Sequence, residues 1–399
     1  MNNSHILWSK VWGIAALQGA ITLSWVIYNL YLPILLIQLG LAKELAIALL
    51  IIENALEAAI EPIFGHISDR QQYTKGNRIP LITIGVILSS VLLMVIPSLV
   101  ILGKVNLAKQ LLFLVLVVVW ASVMAIFRSP AMALLGRCAT PKDLPQAASI
   151  LTLVGGIIGA FRFDTYGLIL QIGAGFAFAI GSVSLLIAGG ILRWLYPPEI
   201  PAIANYPQPQ PLSKTKLGLI LITGIFVGWG LRFLIPTVNQ ILTVLLSQGN
   251  SKIAMTIWFI GLGISAIPAG KIATKLGNSL AMILGCLTIV ILTTCLMAIQ
   301  ILSIQYLAIA LLFFGFALVQ NGAIPYAISL VSVAHSGLGV GMYFGGLNAG
   351  ISLFSLIVAP TKTTDLTFLT IGTIVSFGLV VVCLLISNPR SYSISKIGD

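Results

Sequence analysis

ENALEAAIEPIFGHISDRQQYTKGNRIP, residues 53–80, is the stretch on which the reading of this chain turns. Glu53, Glu57 and Glu61 recur every four residues inside an otherwise apolar segment, so on an α-helix they stack along one face, about 6 Å from one to the next. Pro62 follows, then Gly65-His-Ile-Ser-Asp69-Arg70, Gly76, Arg78 and Pro80, after which the chain is apolar again. The pattern predicts a helix over about Leu45–Phe64 that breaks into a short, basic, cytoplasmic turn. With the helix ending near Gly65, Glu61 lies about 6 Å, Glu57 about 12 Å and Glu53 about 18 Å from that end, so only Glu53 and Glu57 are deep.

The surroundings of this stretch set the class of protein. Of 399 residues, 58% are hydrophobic and 8% charged, whereas a soluble globular chain carries roughly 25% charged residues. This composition predicts a multi-pass membrane protein with no soluble domain. A spanning helix needs about 20 apolar residues, and about twelve apolar runs are separated by short polar turns. Pro197, Pro198, Pro201, Pro207, Pro209 and Pro211 crowd a stretch almost free of charge. It reads as an extended linker, residues 197–215, between a six-helix bundle over 1–196 and a second over 216–399.

The net charge of +11 matters here through where the basic residues fall. With the N-terminus inside, thirteen Lys and Arg lie on the cytoplasmic side and five outside, while Arg128, Arg162 and Arg232 lie within spans. That asymmetry follows the positive-inside rule and predicts cytoplasmic termini, residence in the cell (inner or plasma) membrane and a lipid rather than a nucleic-acid environment. No cleavable signal peptide is expected, because Ser9-Lys10 leads into a long first span over about Val11–Leu39, interrupted near Pro33. Cys138, Cys286, Cys295 and Cys383 are scattered without metal-ligand spacing, so neither a disulfide nor a metal site is expected. Trp8, Trp12, Trp194 and Trp258 fit interfacial belts, while Trp25, Trp120 and Trp229 lie deeper and are placed to face a substrate.

The G-x-x-S-D-R of Gly65–Arg70, followed by the G-x-R-x-P of Gly76–Pro80, resembles the loop between helices 2 and 3 of major facilitator superfamily transporters. With the acids in front, the chain looks most like the glycoside/pentoside/hexuronide cation symporters, such as melibiose permease, and the related sucrose transporters. The resemblance implies that Glu57 and Glu61 hold the coupling cation, H⁺ or Na⁺, where those relatives usually have Asp. It implies that Gly65, Asp69, Arg70, Gly76 and Arg78 form a conformational latch, with Asp69 meeting the N-terminus of a helix in the other half. Sucrose transporters carry a similar G-P-x-R-A-L-L-x-D stretch where this chain has Ser129-Pro130-Ala131-Met132 and Arg137, so its charges are changed. The run Ile324–Ala327, Ser336, Gly339, Gly341, Gly345 and Asn348 resembles their helix 10 to 11 region. The first span has no acid, whereas melibiose permease-like relatives use one there to hold sugar hydroxyls. In the second half, Pro268-Ala-Gly270-Lys271 with Gly277 echoes Pro62, Gly65, Arg70 and Gly76, as an internal repeat requires.

Ionisable groups within a span cost roughly 3 kcal/mol each, so they are paired or line a polar path. Two readings stay open for Glu53, Glu57 and Glu61: cation coupling, or structural ion pairs such as Glu53 with Arg162 or Arg232. Arg128, Arg162, Asp164, Arg232, Asn321, Asn348, Trp25 and Trp229 are the candidates for a substrate cavity and its ion pairs. The expectation is an all-α, twelve-helix, two-bundle major facilitator fold, acting as a monomer without cofactor beyond its coupling ion. Its expected function is cation-coupled symport of a small polar, sugar-like solute. The alternatives are an exporter of lipophilic compounds and a transporter-shaped pigment or complex assembly factor without solute flux. No nucleotide-binding loop of the G-x-x-x-x-G-K-[ST] kind and no catalytic set are evident, so neither ATP-driven transport nor an enzyme is expected.

Overall fold

The computed structural model describes residues 6–102, 104–161, 166–196, 212–245, 251–298, 301–361 and 365–387. Among them the regular structure is entirely helical: α1 Trp8–Gln38, α2 Leu45–Lys75, α3 Ile79–Ile101, α4 Leu107–Ala133, α5 Leu144–Ala160, α6 Tyr166–Gln171, α7 Gly173–Leu195, α8 Lys214–Leu245, α9 Ser251–Leu276, α10 Asn278–Ala298, α11 Leu302–Ser329, α12 Ser336–Ile357 and α13 Leu366–Ser387, with short 3₁₀ turns at three joints. Ten of these helices are long and apolar enough to cross a membrane; α5 is apolar but shorter, and α2 carries the acids. Residues 197–211 of the expected linker, and the candidates Arg162 and Asp164, lie outside the described residues.

The largest departure from the sequence reading concerns residues 65–75, which are helix rather than turn. α2 runs without a break from Leu45 to Lys75 and ends at Gly76, whose φ of 70° is a left-handed conformation that glycine adopts at no steric cost. Gly65, Ser68, Asp69 and Gln72 are buried at intervals of three and four residues. The polar composition therefore belongs to a helix with one face against protein, not to a loop. Glu61 consequently lies about 21 Å from the helix end, as deep within protein as its two companions. The expected break at Pro33 is likewise absent, since α1 continues through it. Trp258 is fully buried against Phe313 and Phe316, at centroid distances of 5.3 and 5.5 Å, rather than at an interface.

Two helical groups meet along two long seams. Within the first, α1 packs on α5 and α7, and α3 on α4 and α7; within the second, α8 packs on α12 and α13, and α10 on α11 and α13. Between them, α2 lies along α12 and α5 along α9. The α2–α12 seam is antiparallel: Ser352 Oγ donates to the Ile51 carbonyl at 3.1 Å at one end, and Asp69 accepts from the Gly337 N–H at the other. Its closeness depends on glycines. A Cβ on Gly337, Gly341 or Gly345 would meet a carbonyl oxygen of α2 at 2.5, 2.4 and 2.7 Å, those of Gly65, Glu61 and Ala58. These glycines recur every four residues on α12 and form the smooth stripe that membrane helices use for close approach. The second seam is built the same way, with a Cβ on Gly156 facing the Phe259 carbonyl at 2.7 Å. α2 and α9 also match as repeats: each contains a proline, Pro62 and Pro268, and each is followed by a left-handed glycine, Gly76 and Gly277.

Gly341→Val should force the α2–α12 seam apart, because the added side chain meets backbone that cannot rotate away. The expected cost is about 1–3 kcal/mol, seen as a lowered melting temperature of the purified protein. Gly378→Val, at a site open within 4 Å, is the control and should leave the melting temperature near that of the parent.

Candidate functional site

The three acids of α2 are almost completely enclosed, with 1, 3 and 0% of Glu53, Glu57 and Glu61 exposed. Arg128 of α4 reaches both of the latter, its Nε donating to Glu61 Oε1 at 2.6 Å and its Nη2 to Glu57 Oε2 at 3.2 Å. This paired guanidinium is the form in which an ionised carboxylate is best satisfied away from water. Glu57 Oε2 also accepts from the Asn348 amide of α12 at 2.8 Å, so the cluster is completed from the other side of the seam. Glu53 takes a different partner, the Tyr28 hydroxyl of α1 at 2.5 Å. Tyr28 is fixed in turn by Trp25 and Trp120, at centroid distances of 5.7 and 4.6 Å. Glu53 Oε2 and Glu61 Oε2 are buried without a hydrogen-bond partner.

This arrangement corrects the expected pairing. Among the described residues Glu53 meets the Tyr28 hydroxyl, the guanidinium that serves Glu57 and Glu61 is Arg128, and Arg232 donates to Ser355 Oγ of α12 at 3.0 Å. The sequence placed Arg128 inside the membrane but among cavity residues. Its partners lie 67 and 71 positions away in the chain, a separation at which no local spacing signals contact.

Towards the end of α2, Asp69 is 3% exposed. Its Oδ1 accepts from the Gly337 N–H at 2.8 Å and its Oδ2 from the Leu338 N–H at 2.7 Å. These are first-turn donors of α12, which have no partner within their own helix, and the positive end of the helix dipole lies there. Arg78 donates to Asp69 Oδ1 at 3.0 Å and to Ser336 Oγ at 3.3 Å. Gly65 permits the approach, since a Cβ there would come 2.3 Å from the Gly337 carbonyl oxygen. Arg70, grouped with these residues on sequence, is exposed, whereas Asp69 and Arg78 are buried. Gly76 contributes its left-handed cap rather than a contact to α12.

A cavity of about 240 Å³ lies between the two groups of helices. Its walls include Gln18 of α1, Leu151, Thr152, Gly155 and Gly156 of α5, Leu231 of α8, Phe259 and Leu262 of α9, Gln320 of α11, and Tyr343, Phe344 and Leu347 of α12. None of the described sequence candidates lines it. Asn321 instead ties α11 to α9 by donating to the Ala266 carbonyl at 2.8 Å, Asn348 serves Glu57, Trp25 belongs to the aromatic group around Tyr28, and Trp229 packs edge-on against Phe354 at 6.2 Å. Most of the true lining is apolar or glycine and carries no signal in a hydrophobic sequence; the amides of Gln18 and Gln320 were the legible part. Arg128 lies beside one wall residue of this cavity, its Cζ 4.9 Å from the centroid of the Phe344 ring.

Comparison with known proteins agrees with this architecture at the level of fold. No family model matches the sequence, and no curated protein matches it. Among solved structures, the chain is similar to a bacterial homologue of the iron transporter ferroportin in an outward-facing state, with a TM-score of 0.69 and 12% identity over 96% of this chain and 100% of that one. It is also similar to the human organic anion transporter MFSD10 (TETRAN), with a TM-score of 0.60 and 14% identity over 95% and 98%. At these identities the likeness is one of fold: the chain shares the helical fold of these two transporters.

The contact at Asp69 yields a test by double-mutant cycle. Asp69→Asn takes the ionised partner from buried Arg78 and from two backbone donors, and breaking a buried pair this way costs about 3–5 kcal/mol. Adding Arg78→Gln should recover part of that loss, because it removes the charge left behind. Equal additive losses in the melting temperatures of the two single variants and the double variant would show that the pair is not coupled.

Proposed function

We propose that the chain is a secondary active transporter of a small solute, working by alternating access, with Glu53, Glu57 and Glu61 carrying the coupling ion. On this reading α2 and α5 join the ten long apolar helices as spans, giving twelve in two bundles with both termini in the cytoplasm of a cell-membrane monomer. The observation that carries the proposal is the sharing of one guanidinium among buried acids. Arg128 offers a single positive charge to Glu57 and Glu61, while Glu53 has only a hydroxyl. Full ionisation would leave two negative charges uncompensated, which a low-dielectric site does not tolerate. Cations taken up from solution supply the missing charges.

A proton fits that role better than Na⁺. The space between Glu57 and Glu61 is occupied by the guanidinium itself, and among the described residues no group of three or more His, Cys, Asp or Glu is arranged to hold a metal ion. The same observation gives no support for carrying over the iron named for the ferroportin homologue. Asp69 and Arg78 act as the latch that holds α2 to α12 in the closed-seam state. The family resemblance on its own implies a sugar-like solute, which the lining of the cavity does not favour. The mostly apolar lining of the cavity favours a second reading, an exporter of lipophilic compounds using the same coupling residues.

Glu57→Gln should uncouple the carrier. The amide keeps the volume and a hydrogen bond to Arg128 or Asn348 but cannot gain or lose a proton, so a pH gradient no longer drives accumulation in proteoliposomes. A purely structural acid predicts loss of folded protein instead. Yield, melting temperature and gradient-driven flux measured on one preparation decide, and accumulation at the parent level excludes Glu57 as the coupling residue.

A further inference from the structure

The chemistry of the central cavity narrows the solute. Of its lining residues, Gln18, Thr152, Gln320 and Tyr343 carry polar side chains, none carries a charge, and the rest are aliphatic, aromatic or glycine. Both groups of helices contribute a long amide, Gln18 from α1 and Gln320 from α11. Gln18 Oε1 is buried without a hydrogen-bond partner. A buried acceptor left unsatisfied costs about 1–3 kcal/mol, which a ligand donor recovers. Leu151, Leu231, Leu262, Phe259 and Leu347 present apolar surface to the remainder of any occupant.

Two solute classes fit this lining poorly. A sugar carries a hydroxyl on nearly every carbon, and most of these would face aliphatic or aromatic wall without a partner. An organic anion needs a cation or a set of converging donors. Arg128 does not supply one, because its guanidinium is engaged by two carboxylates and it is not among the residues that line the cavity.

We propose that this cavity is the solute site and that it takes a compact uncharged molecule with an apolar body and an N–H or O–H donor directed at Gln18, rather than a polyol or an organic anion. The inference rests on the transporter reading and specifies its substrate class. It applies equally to import and export, since the cavity is shared by both directions.

Three probes of similar size separate the classes: indole-3-acetamide, indole-3-acetate and methyl α-D-glucopyranoside, each titrated against the purified full-length protein with melting temperature as readout. The amide should raise the melting temperature at lower concentration than either of the others. Gln18→Leu should weaken amide binding by about tenfold, the loss expected for one hydrogen bond. Gln320→Leu provides a second variant should the first fail to fold. Tighter binding of the acetate or the glucoside overturns the assignment, as does an absence of shift with all three, or parent-level amide binding in both variants. Because no gradient is present, the binding order is read independently of coupling. A proton-driven flux of the glucoside would overturn the solute class and leave the coupling proposal standing, and failed coupling would leave the binding order as it is.

Discussion

Arg128 is one positive charge among three buried acids, and the rest of the assembly follows from that shortage. Charges withdrawn from water are tolerated only with close partners, and removing one partner from such a group is far more damaging than never having had the group. The structure meets the requirement with components from four helices: the acids of α2, the guanidinium of α4, the Tyr28 hydroxyl of α1 and the Asn348 amide of α12. Ser129, next to Arg128, adds a hydrogen bond from its hydroxyl to the Glu61 carbonyl at 3.1 Å, which anchors α4 to α2 at the same level. Each donor fixes the position of the helix that carries it, so the polar cluster sets the packing of the first group of helices and meets the second at Asn348 and Phe344.

The Glu57–Asn348 bond gains importance from the length of α2. Glu57 and Asp69 are twelve residues apart, about 18 Å along a rigid helix, and both engage α12, at Asn348 and at Gly337–Leu338. Between them the glycines at 337, 341 and 345 hold the two backbones too close for any side chain to intervene. Parting the seam therefore breaks the Asp69 contact and the Glu57–Asn348 bond as parts of one rigid-body motion. Under the alternating access proposed above, a change in charge at Glu57 would be felt at the far end of the same helix without any chain of intermediate side chains, because one rigid element carries both contacts.

The sequence reveals the spans and the ladder more readily than the partners. Hydrophobic runs of membrane length, and acids repeating every four residues, are local patterns that survive tertiary packing. Gly65–Arg70 was read as a turn because glycine, histidine, serine and aspartate are common where chains reverse. The buried stripe of Gly65, Ser68, Asp69 and Gln72 becomes apparent only once α12 is seen to cover it. The pairing of Arg128 with Glu57 and Glu61, and the lining of the cavity, depend on contacts between distant segments, and in a chain this apolar an additional leucine or phenylalanine on a wall looks like one facing lipid. Arg78 was grouped correctly with Asp69, whereas adjacent Arg70 was not separable from it by spacing to Asp69 alone.

The two seams are unlike in a way that bears on how an ion can do work here. Both use glycine to bring backbones together, Gly337, Gly341 and Gly345 on one and Gly156, Gly159 and Gly270 on the other, and α2 and α9 occupy equivalent places in the repeat. Only α2 carries acids. At the positions where α2 has Gly65 and Asp69, α9 has Gly270 and Thr274, and the Thr274 hydroxyl turns back to the Gly270 carbonyl of its own helix at 3.1 Å. A ligand shifts an equilibrium only by the difference in its affinity for the two states. On the coupling proposed above, a cation would therefore have purchase on the α2–α12 seam, where carboxylates face donors from both sides, and little on α5–α9, whose contacts are backbone, aromatic ring and small side chain. The neutral cavity, walled by α5, α9 and α12, touches both seams, which is the placement from which an uncharged solute can bias the seam that the cation does not reach.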